Sequence, residues 1–195
     1  SVCVGDERGE IRVSRRIPTG TPDGPERGLA RIVELARSVL REAAIEPEQV
    51  HAVGVSSPGP VSVRQQVMLE PPNMQGWVNV PVVKVFADAF GRPVFMNNDA
   101  NACALAEYLF GAHRGAANLV YLTMSTGLGA GFVVNGEVIQ GTNDLAGEVG
   151  AQPLGVVDVD LDAVRPVEHD LVEERLVVVV GVLRRSEEHT SELQS

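Results

Sequence analysis

Hydrophobic and polar residues follow two different periods along most of the chain. Apolar residues that recur every three or four positions predict a helix over residues 25–44. Further helices are predicted over residues 80–90, which Gly91 and Pro93 would end, and over residues 101–111. Short apolar runs bounded by turn-forming residues predict strands over 1–4, 10–15, 52–56, 61–69, 94–96 and 119–125. The Asn135-Gly136 pair predicts the turn of a hairpin that covers residues 131–139. Strands and helices therefore alternate, with hairpins between them, which predicts an α/β fold with a mixed sheet.

The pattern changes after about residue 155. Residues 156–184 are rich in Val, Asp, Glu, Leu and Arg, and their apolar positions fit neither a helical nor a strand period. Residues 185–195 resemble the in-frame translation of a sequencing-library adapter, so we leave them out of the fold prediction. The predicted organisation is an incomplete N-terminal α/β domain over 1–115, the start of a second α/β domain over 116–155, and an unassigned segment, divergent or artefactual, over 156–195.

Composition is that of a globular protein with an aliphatic core, since 44% of the residues are hydrophobic but only 4% are aromatic. The net charge of −10 disfavours nucleic acid as a partner of this chain, because phosphates would be repelled. No apolar stretch approaches the roughly 20 residues of a membrane-spanning helix, so we expect no membrane partner. Cys3 and Cys103 show no disulfide or metal-knuckle spacing, and we expect two small buried thiols in a reducing cytoplasm.

Three adjacent polar residues, Asn97, Asn98 and Asp99, stand at a predicted strand-to-helix junction. Ligands of α/β folds dock where strands end, and an aspartate there can accept the proton of an attacking hydroxyl. The amide of Asn98 can bind further hydroxyls. The alternative is helix capping, for which Asn and Asp are preferred. Three such residues exceed the needs of one cap, which favours a functional role.

A glycine-rich segment, Ser-Thr-Gly-Leu-Gly-Ala-Gly over residues 125–131, follows an apolar strand. Glycines let backbone amides approach phosphate oxygens, so the segment is a candidate phosphate loop. It is neither a Walker loop, since no Gly-Lys-Ser/Thr follows, nor a dinucleotide fingerprint, since a hairpin follows instead of a helix. A tight connection between strands explains the glycines equally well.

Two further segments carry candidate binding residues. Glu148 stands between Gly147 and Gly150 and could accept hydroxyl hydrogen bonds, although a surface glutamate in a turn is the simpler interpretation. The loop that contains Asn73 also contains Trp77, the only tryptophan. Trp77 could stack on a sugar or anchor the loop on the core, and anchoring is the more common role.

Taken together, these segments resemble the ROK family of bacterial sugar kinases and sugar-responsive repressors. The matching segments keep the order and spacing of the family pattern, and they are residues 54–60, 72–73, 76–77, 80–81, 98–101, 106–107, 125–131 and 146–150. The resemblance covers about residues 1–150. It implies an actin/hexokinase-like (ribonuclease H-like) fold, in which two α/β domains close over a cleft.

The resemblance also implies an activity, namely ATP-dependent phosphorylation of a hexose, as in a glucokinase-like sugar kinase, with Mg²⁺ bridging the nucleotide phosphates. It implies that Asp99 is the catalytic base. The residues that it assigns to sugar binding are Asn98, Glu148 and Asn73. The residues that it assigns to phosphate binding are Thr126, Gly127, Gly129 and Gly131. The resemblance implies that the partners of the protein are a small-molecule sugar and ATP. It also allows the full-length protein to be a homo-oligomer.

The same resemblance leaves a second function open, the sugar-sensing domain of a ROK-type transcriptional repressor. A basic helix-turn-helix upstream of Ser1 would indicate the repressor, whereas a short start with a first phosphate loop would indicate the kinase. That first loop, of the Asp-x-Gly-x-Thr type, is expected just before Ser1. The zinc motif of the family is absent, because no cysteine follows Cys103, and Ala151 stands where the family has histidine. We therefore expect no metal site in this piece, and no activity from it alone.

Overall fold

The computed structural model describes residues 1–124, 128–151 and 177–182 of the 195-residue chain. Within those ranges the helices are α1 (Pro25–Glu42), α2 (Val82–Phe90) and α3 (Asp99–Phe110). The strands there are β1 (Val2–Asp6), β2 (Ile11–Arg15), β3 (Val50–Ser57), β4 (Val61–Ser62), β5 (Val67–Met68), β6 (Val94–Asn98), β7 (Asn118–Met124), β8 (Leu128–Val134), β9 (Glu137–Val138) and β10 (Val177–Val182). The three predicted helices are confirmed, with ends displaced by one or two residues.

Five strands form the main sheet, in the order β2-β1-β10-β3-β6. β1 pairs antiparallel with β2 and parallel with β10, whereas β3 pairs antiparallel with β10 and parallel with β6. The prediction of a mixed sheet is therefore confirmed. The central strand, β10, comes from the valine-rich segment that the sequence pattern left unassigned.

Two helices cover one face of the main sheet. α1 contacts β1 and β2, α2 contacts β6, and the two helices contact each other. The apolar residues that predicted α1 are buried, and they include Leu29, Ile32, Val33, Ala36, Val39 and Leu40. α2 ends at Phe90 and is capped by Gly91, whose left-handed φ of 61° suits a glycine. None of the helices in the described ranges is long and apolar enough to cross a membrane.

A second, smaller sheet consists of β7, β8 and β9, which pair antiparallel in that order. α3 packs on β7 and β8 and also contacts β6 and β3, so this helix lies between the two sheets. The predicted turn between β8 and β9 is confirmed, since Asn135 and Gly136 adopt φ angles of 51° and 81°. The start of α3 therefore lies where the two sheets meet.

Two predictions about local structure are wrong. Residues 61–69 do not form one strand: β4 and β5 pair antiparallel as a short hairpin, and Gln66 in its turn adopts a φ of 61°. This turn lacks glycine and proline, so the usual turn signals were missing. Cys3 is buried, but Cys103 is exposed on α3. Apolar residues occupy most faces of α3, so its sequence pattern did not show which face is buried.

The loop before α2 is anchored by Trp77, whose side chain is fully buried. The indole Nε1 of Trp77 donates a hydrogen bond to the carbonyl of Thr21 at 3.2 Å. Gly28 of α1 lies against the ring, since a Cβ there would come within 2.6 Å of a ring carbon. The anchoring interpretation of Trp77 is therefore confirmed.

Candidate functional site

Asn98 ends β6 and caps α3, which begins at Asp99. The Oδ1 atom of Asn98 accepts hydrogen bonds from the backbone amides of Ala100 at 2.8 Å and Asn101 at 3.4 Å. These amides have no partner within the helix, so the cap stabilises the first turn by about 1 kcal/mol. The capping interpretation of this motif is thus confirmed for Asn98.

The same cap orients the other end of the Asn98 amide. With Oδ1 engaged by the helix, Nδ2 points away from the helix and donates to Oε1 of Glu148 at 3.0 Å. The two residues are 50 positions apart in sequence. The structure therefore brings together two of the predicted sugar-binding residues through a direct hydrogen bond.

Asn97, in β6, stabilises the junction between β6 and α3 through two hydrogen bonds. Its Oδ1 atom accepts from the backbone amide of Asn98 at 2.9 Å and from Nδ2 of Asn101 at 3.2 Å. Asn101 is buried, with 1% of its surface exposed. The neighbouring asparagines are therefore not redundant caps, because one caps the helix and the other holds the capping residue in place.

The segment that carries Glu148 packs closely against β8, because the glycines on either side of Glu148 have no side chains. A Cβ on Gly147 would come within 1.9 Å of the carbonyl oxygen of Ala130, and one on Gly150 within 2.5 Å of that of Leu128. The amide of Ala130 donates to the carbonyl of Gly147 at 2.8 Å. The two glycines therefore let the turn pack onto the start of β8, and the Glu148 side chain is half-buried there.

The carboxylate of Asp99 lies within electrostatic range of Glu148. Burial, and in addition the negative charge of Asp99, raise the pKa of Glu148 above its ordinary value. Burial first, with Cys103 and Asp99 adding to it, raises the pKa of Tyr121 to about 12. The site thus brings two carboxyl groups, those of Asp99 and Glu148, close enough to interact, which favours ligands that bring hydroxyl donors.

Gly59 forms a further wall of the site, and sequence reasoning did not single it out. A Cβ on Gly59 would come within 2.3 Å of Oε1 of Glu148 and 2.7 Å of Nδ2 of Asn98. Gly59 follows β3, which pairs parallel with β6 so that Ser57 lies beside Asn98. Since neighbouring parallel strands end at the same edge of a sheet, a glycine two residues after the end of β3 is the signal that could have found it.

The glycines of the predicted phosphate loop are only partly described. Gly129 lies in β8 opposite Thr123 of β7. Gly131 packs against α3, since a Cβ there would come within 2.3 Å of the carbonyl oxygen of Ala100. Close packing of β8 on the helix thus explains Gly131, and its phosphate role stays a prediction. Thr126 and Gly127 lie outside the described residues.

Asn73 lies in an exposed turn of the loop that Trp77 anchors, and its role in sugar binding also stays a prediction. Over the described ranges, no group of three or more His, Cys, Asp or Glu side chains could hold a metal ion. The chemistry that this geometry supports therefore rests on Asn98, Asp99 and Glu148, which present one amide and two carboxyl groups beside the same strand end.

Comparison with known proteins decides the family. A model described as the ROK family matches residues 1–163. The chain belongs to this family. It is 35% identical to glucokinase of Thermotoga maritima over 150 residues, and this match covers 77% of the chain and 46% of the glucokinase. It is also 32% identical to the xylose repressor of Caldicellulosiruptor bescii over 133 residues, and this match covers 68% of the chain and 33% of the repressor.

A solved ROK structure shows the same fold. The ROK family glucokinase from Streptomyces griseus, in complex with glucose and AMPPNP, is 31% identical and superimposes with a TM-score of 0.62. The match covers 74% of this ROK chain and 44% of that protein. The actin/hexokinase-like fold predicted from the sequence is thereby confirmed. The chain spans less than half the length of these kinase relatives.

Proposed function

We propose that the protein to which this chain belongs transfers the γ-phosphoryl group of ATP to a hydroxyl of a hexose. The observation that supports this most directly is the contact of Asn98 with Glu148 beside Asp99. An amide and two carboxyl groups at a strand end match the needs of a polyhydroxyl substrate. Relatives named as glucokinase, one of them solved with glucose and AMPPNP, support hexose and ATP as substrates.

In this proposal Asp99 is the general base. The sugar hydroxyl oxygen forms a bond to the γ-phosphorus, the bond from that phosphorus to the bridging oxygen of ADP breaks, and the hydroxyl proton goes to the Asp99 carboxylate. Asp99 is the first residue of α3, so its backbone is held by the cap that Asn98 provides. A base fixed in this way loses little conformational freedom when the substrate binds.

Asn98 and Glu148 would bind the sugar hydroxyls. Glu148 offers oxygen acceptors, and the amide of Asn98 offers a donor whose direction is set by the helix cap. Gly59 has no side chain, so its backbone can pack directly on this pair, where a Cβ would clash with Oε1 of Glu148 and Nδ2 of Asn98. The glycine at this position therefore supports the proposal.

The nucleotide would lie on the side of Gly129 and Gly131, with Thr126 and Gly127 completing the loop. Backbone amides of such glycines suit phosphate oxygens. Mg²⁺ usually keeps several waters and binds through substrate phosphates and one or two carboxylates, so the nucleotide phosphates would be its main ligands. When bound, Mg²⁺ would neutralise negative charge on the nucleotide phosphates. We further propose a cytoplasmic location, where ATP is available.

Asp99→Asn in the full-length protein tests the base. We expect kcat to fall by roughly 10²–10⁴-fold, because the amide cannot take up the proton. Glucose affinity, measured by calorimetry, should stay close to that of the wild type, because the side chain keeps its shape. The matched control is Asp88→Asn, which removes an exposed carboxylate that pairs with Lys84 of the same helix, α2. Unchanged turnover in Asp99→Asn would remove Asp99 as the base.

The second candidate is a sugar-sensing repressor, which the similarity to a xylose repressor supports. In that case the sugar would shift a conformational equilibrium and no phosphoryl transfer would follow. Sugar-dependent release of ADP from ATP by the full-length protein indicates the kinase. Sugar binding without turnover, together with DNA binding that weakens as salt rises, indicates the repressor.

A further inference from the structure

The loop that carries Glu148 is held at a second point by Asp144. Oδ2 of Asp144 accepts hydrogen bonds from Oγ of Ser62 at 3.0 Å and from the backbone amide of Arg64 at 3.1 Å. These partners lie 82 and 80 residues earlier in the chain. Asp144 adopts a left-handed φ of 60°, which aspartate tolerates better than most residues. Its side chain thus connects the loop after β9 to the β4–β5 hairpin.

The hairpin side of this contact is ordered by its own hydrogen bonds. Oγ of Ser62 also accepts from the backbone amide of Gln65 at 3.1 Å, and Ser62 is buried with 8% of its surface exposed. The guanidinium of Arg64 donates to the carbonyl of Thr142 at 3.0 Å. Three hydrogen bonds therefore join the two segments, and two of them end on the carboxylate of Asp144.

The path from Asp144 to Glu148 is short and internally bonded. The amide of Ala146 donates to the carbonyl of Gln140 at 3.0 Å, and that of Glu148 donates to the carbonyl of Leu145 at 3.3 Å. Movement of Asp144 would therefore be transmitted to Glu148. The carboxylate of Glu148 is itself within 3.0 Å of Nδ2 of Asn98, so a small displacement would break that bond.

The hairpin end leads back to the same site. β4 begins directly after the Gly59–Pro60 pair, and the amide of Leu69, just after β5, donates to the carbonyl of Pro60 at 3.0 Å. Gly59 packs on the carboxylate of Glu148. Asp144 thus joins the two segments that enclose Glu148, one from each side.

We propose that Asp144 is a positioning residue that holds Glu148 against Asn98 and Gly59 for sugar binding. This inference rests on the proposed role of Glu148 as a sugar ligand. Asp144 touches neither Asn98 nor the reacting groups in this account, and it acts only through the loop of residues 140–148.

Asp144→Gly tests the inference, because glycine adopts a φ of 60° without strain and removes only the side chain. In the full-length protein we expect KM for glucose to rise roughly 10-fold, as for loss of a charge-assisted hydrogen bond, with a smaller change in kcat. Amides of Ala146 and Glu148 should exchange with solvent faster in the same variant. Asp144→Asn keeps an oxygen acceptor and tolerates the same φ, so it should restore values near those of the wild type.

Ser62→Ala is the second variant, since it removes one donor to Asp144 from the other side, and it should raise KM in the same direction. Glu148→Gln, measured in parallel, separates the two proposals. If Glu148→Gln raises KM but neither Asp144→Gly nor Ser62→Ala does so, the inference about Asp144 is overturned and the sugar site stands. If Glu148→Gln leaves KM unchanged, Glu148 is not a sugar ligand, and both the inference and that part of the proposed function fall.

Discussion

The main sheet and the smaller sheet are packed very differently. Val2 and Val53 of the main sheet are fully buried, and they belong to a core that α1 and α2 close. Among the described residues, the core beside the smaller sheet consists of Leu119 and Val133 of the sheet and Ala104 of α3, and the other face of the sheet leaves Val120, Leu122 and Met124 exposed at 60%, 47% and 77%. One region is stabilised chiefly by burial of its own apolar side chains, whereas the other depends on contacts with α3.

The candidate site lies on the boundary between these two regions. Asn98 and Gly59 come from strand ends of the main sheet, whereas Glu148 comes from a turn pressed onto β8. The comparison teaches that the site needs both regions, one well packed and one lightly packed. A rigid, well-buried sheet presents the amide and the helix cap, and the lightly packed region supplies the carboxylate that meets them.

The largest expected effect is a difference in stability between the two cores. Phe86→Ala removes a fully buried ring from the main core, and we expect a loss of about 3–5 kcal/mol in the free energy of unfolding. Leu119→Ala in the smaller core should lower the free energy of unfolding by about 2 kcal/mol, the lower end of the range for Leu→Ala, because the residues around Leu119 can relax into the cavity. Denaturant unfolding monitored by circular dichroism measures both. Equal losses would contradict the comparison.

The second prediction concerns β10, which holds the main sheet together between β1 and β3. Val179→Pro removes a backbone donor from a strand that is paired on both sides, with Cys3 and Gly54 as register partners. We expect a loss of roughly 3 kcal/mol or more, since proline is not tolerated within a central strand. Val179→Ala keeps the donor and serves as the control. A proline variant as stable as the alanine variant would show that this strand does not hold the sheet together.

Gly59→Ala tests the boundary directly. The added methyl group would meet the Glu148 carboxylate and the Asn98 amide, and we expect a cost of about 1–3 kcal/mol together with weaker glucose binding. The same substitution in a Glu148→Ala background should cost less, because the smaller side chain makes room. Calorimetry and thermal unfolding of the single and double variants measure this coupling. Strictly additive effects would argue against contact between residues 59 and 148.

The smallest effect is a pH dependence of stability from Glu148. Because its pKa is raised in the folded state, its contribution to stability is greatest below its ordinary value of 4.5 and is lost as pH rises through the folded-state pKa. Glu148→Gln should remove this decline, and Asp99→Asn should reduce it, since the charge of Asp99 is one of its causes. Unfolding free energies measured from pH 4 upwards at intervals of about one unit check the sign. A variant curve parallel to that of the wild type would contradict it.

Local patterns carried most of the fold prediction. The apolar period of α1, the glycine after α2 and the Asn135-Gly136 turn all depend on neighbouring residues, so they were readable from the sequence. The β4–β5 hairpin lacked a glycine or proline in its turn and was taken for a single strand. The sequence pattern does not predict β10, because its run of four valines does not alternate with polar residues. Its role comes from the two neighbours between which it lies.

The candidate site shows the same division. A cluster of polar residues at a strand-to-helix junction indicates Asn98 and Asp99 as candidates, whereas the glycines around Glu148 are a weak signal by themselves. Each of these signals lies within a few positions of the residue concerned. The resemblance to the ROK family joined them into one hypothesis, and the hydrogen bond between Asn98 and Glu148 then placed two of them in contact.

By itself, the sequence determined the helices, most strands, the mixed α/β class and the identity of the polar residues at the junction, because those depend on short-range periodicity and turn chemistry. Only the tertiary structure decided that Gly59 leaves room for Glu148, that Gly131 admits α3, and that Asp144 reaches the β4–β5 hairpin. Each of these contacts joins residues about 30 or more positions apart. They arise from how the elements pack, which no local pattern specifies.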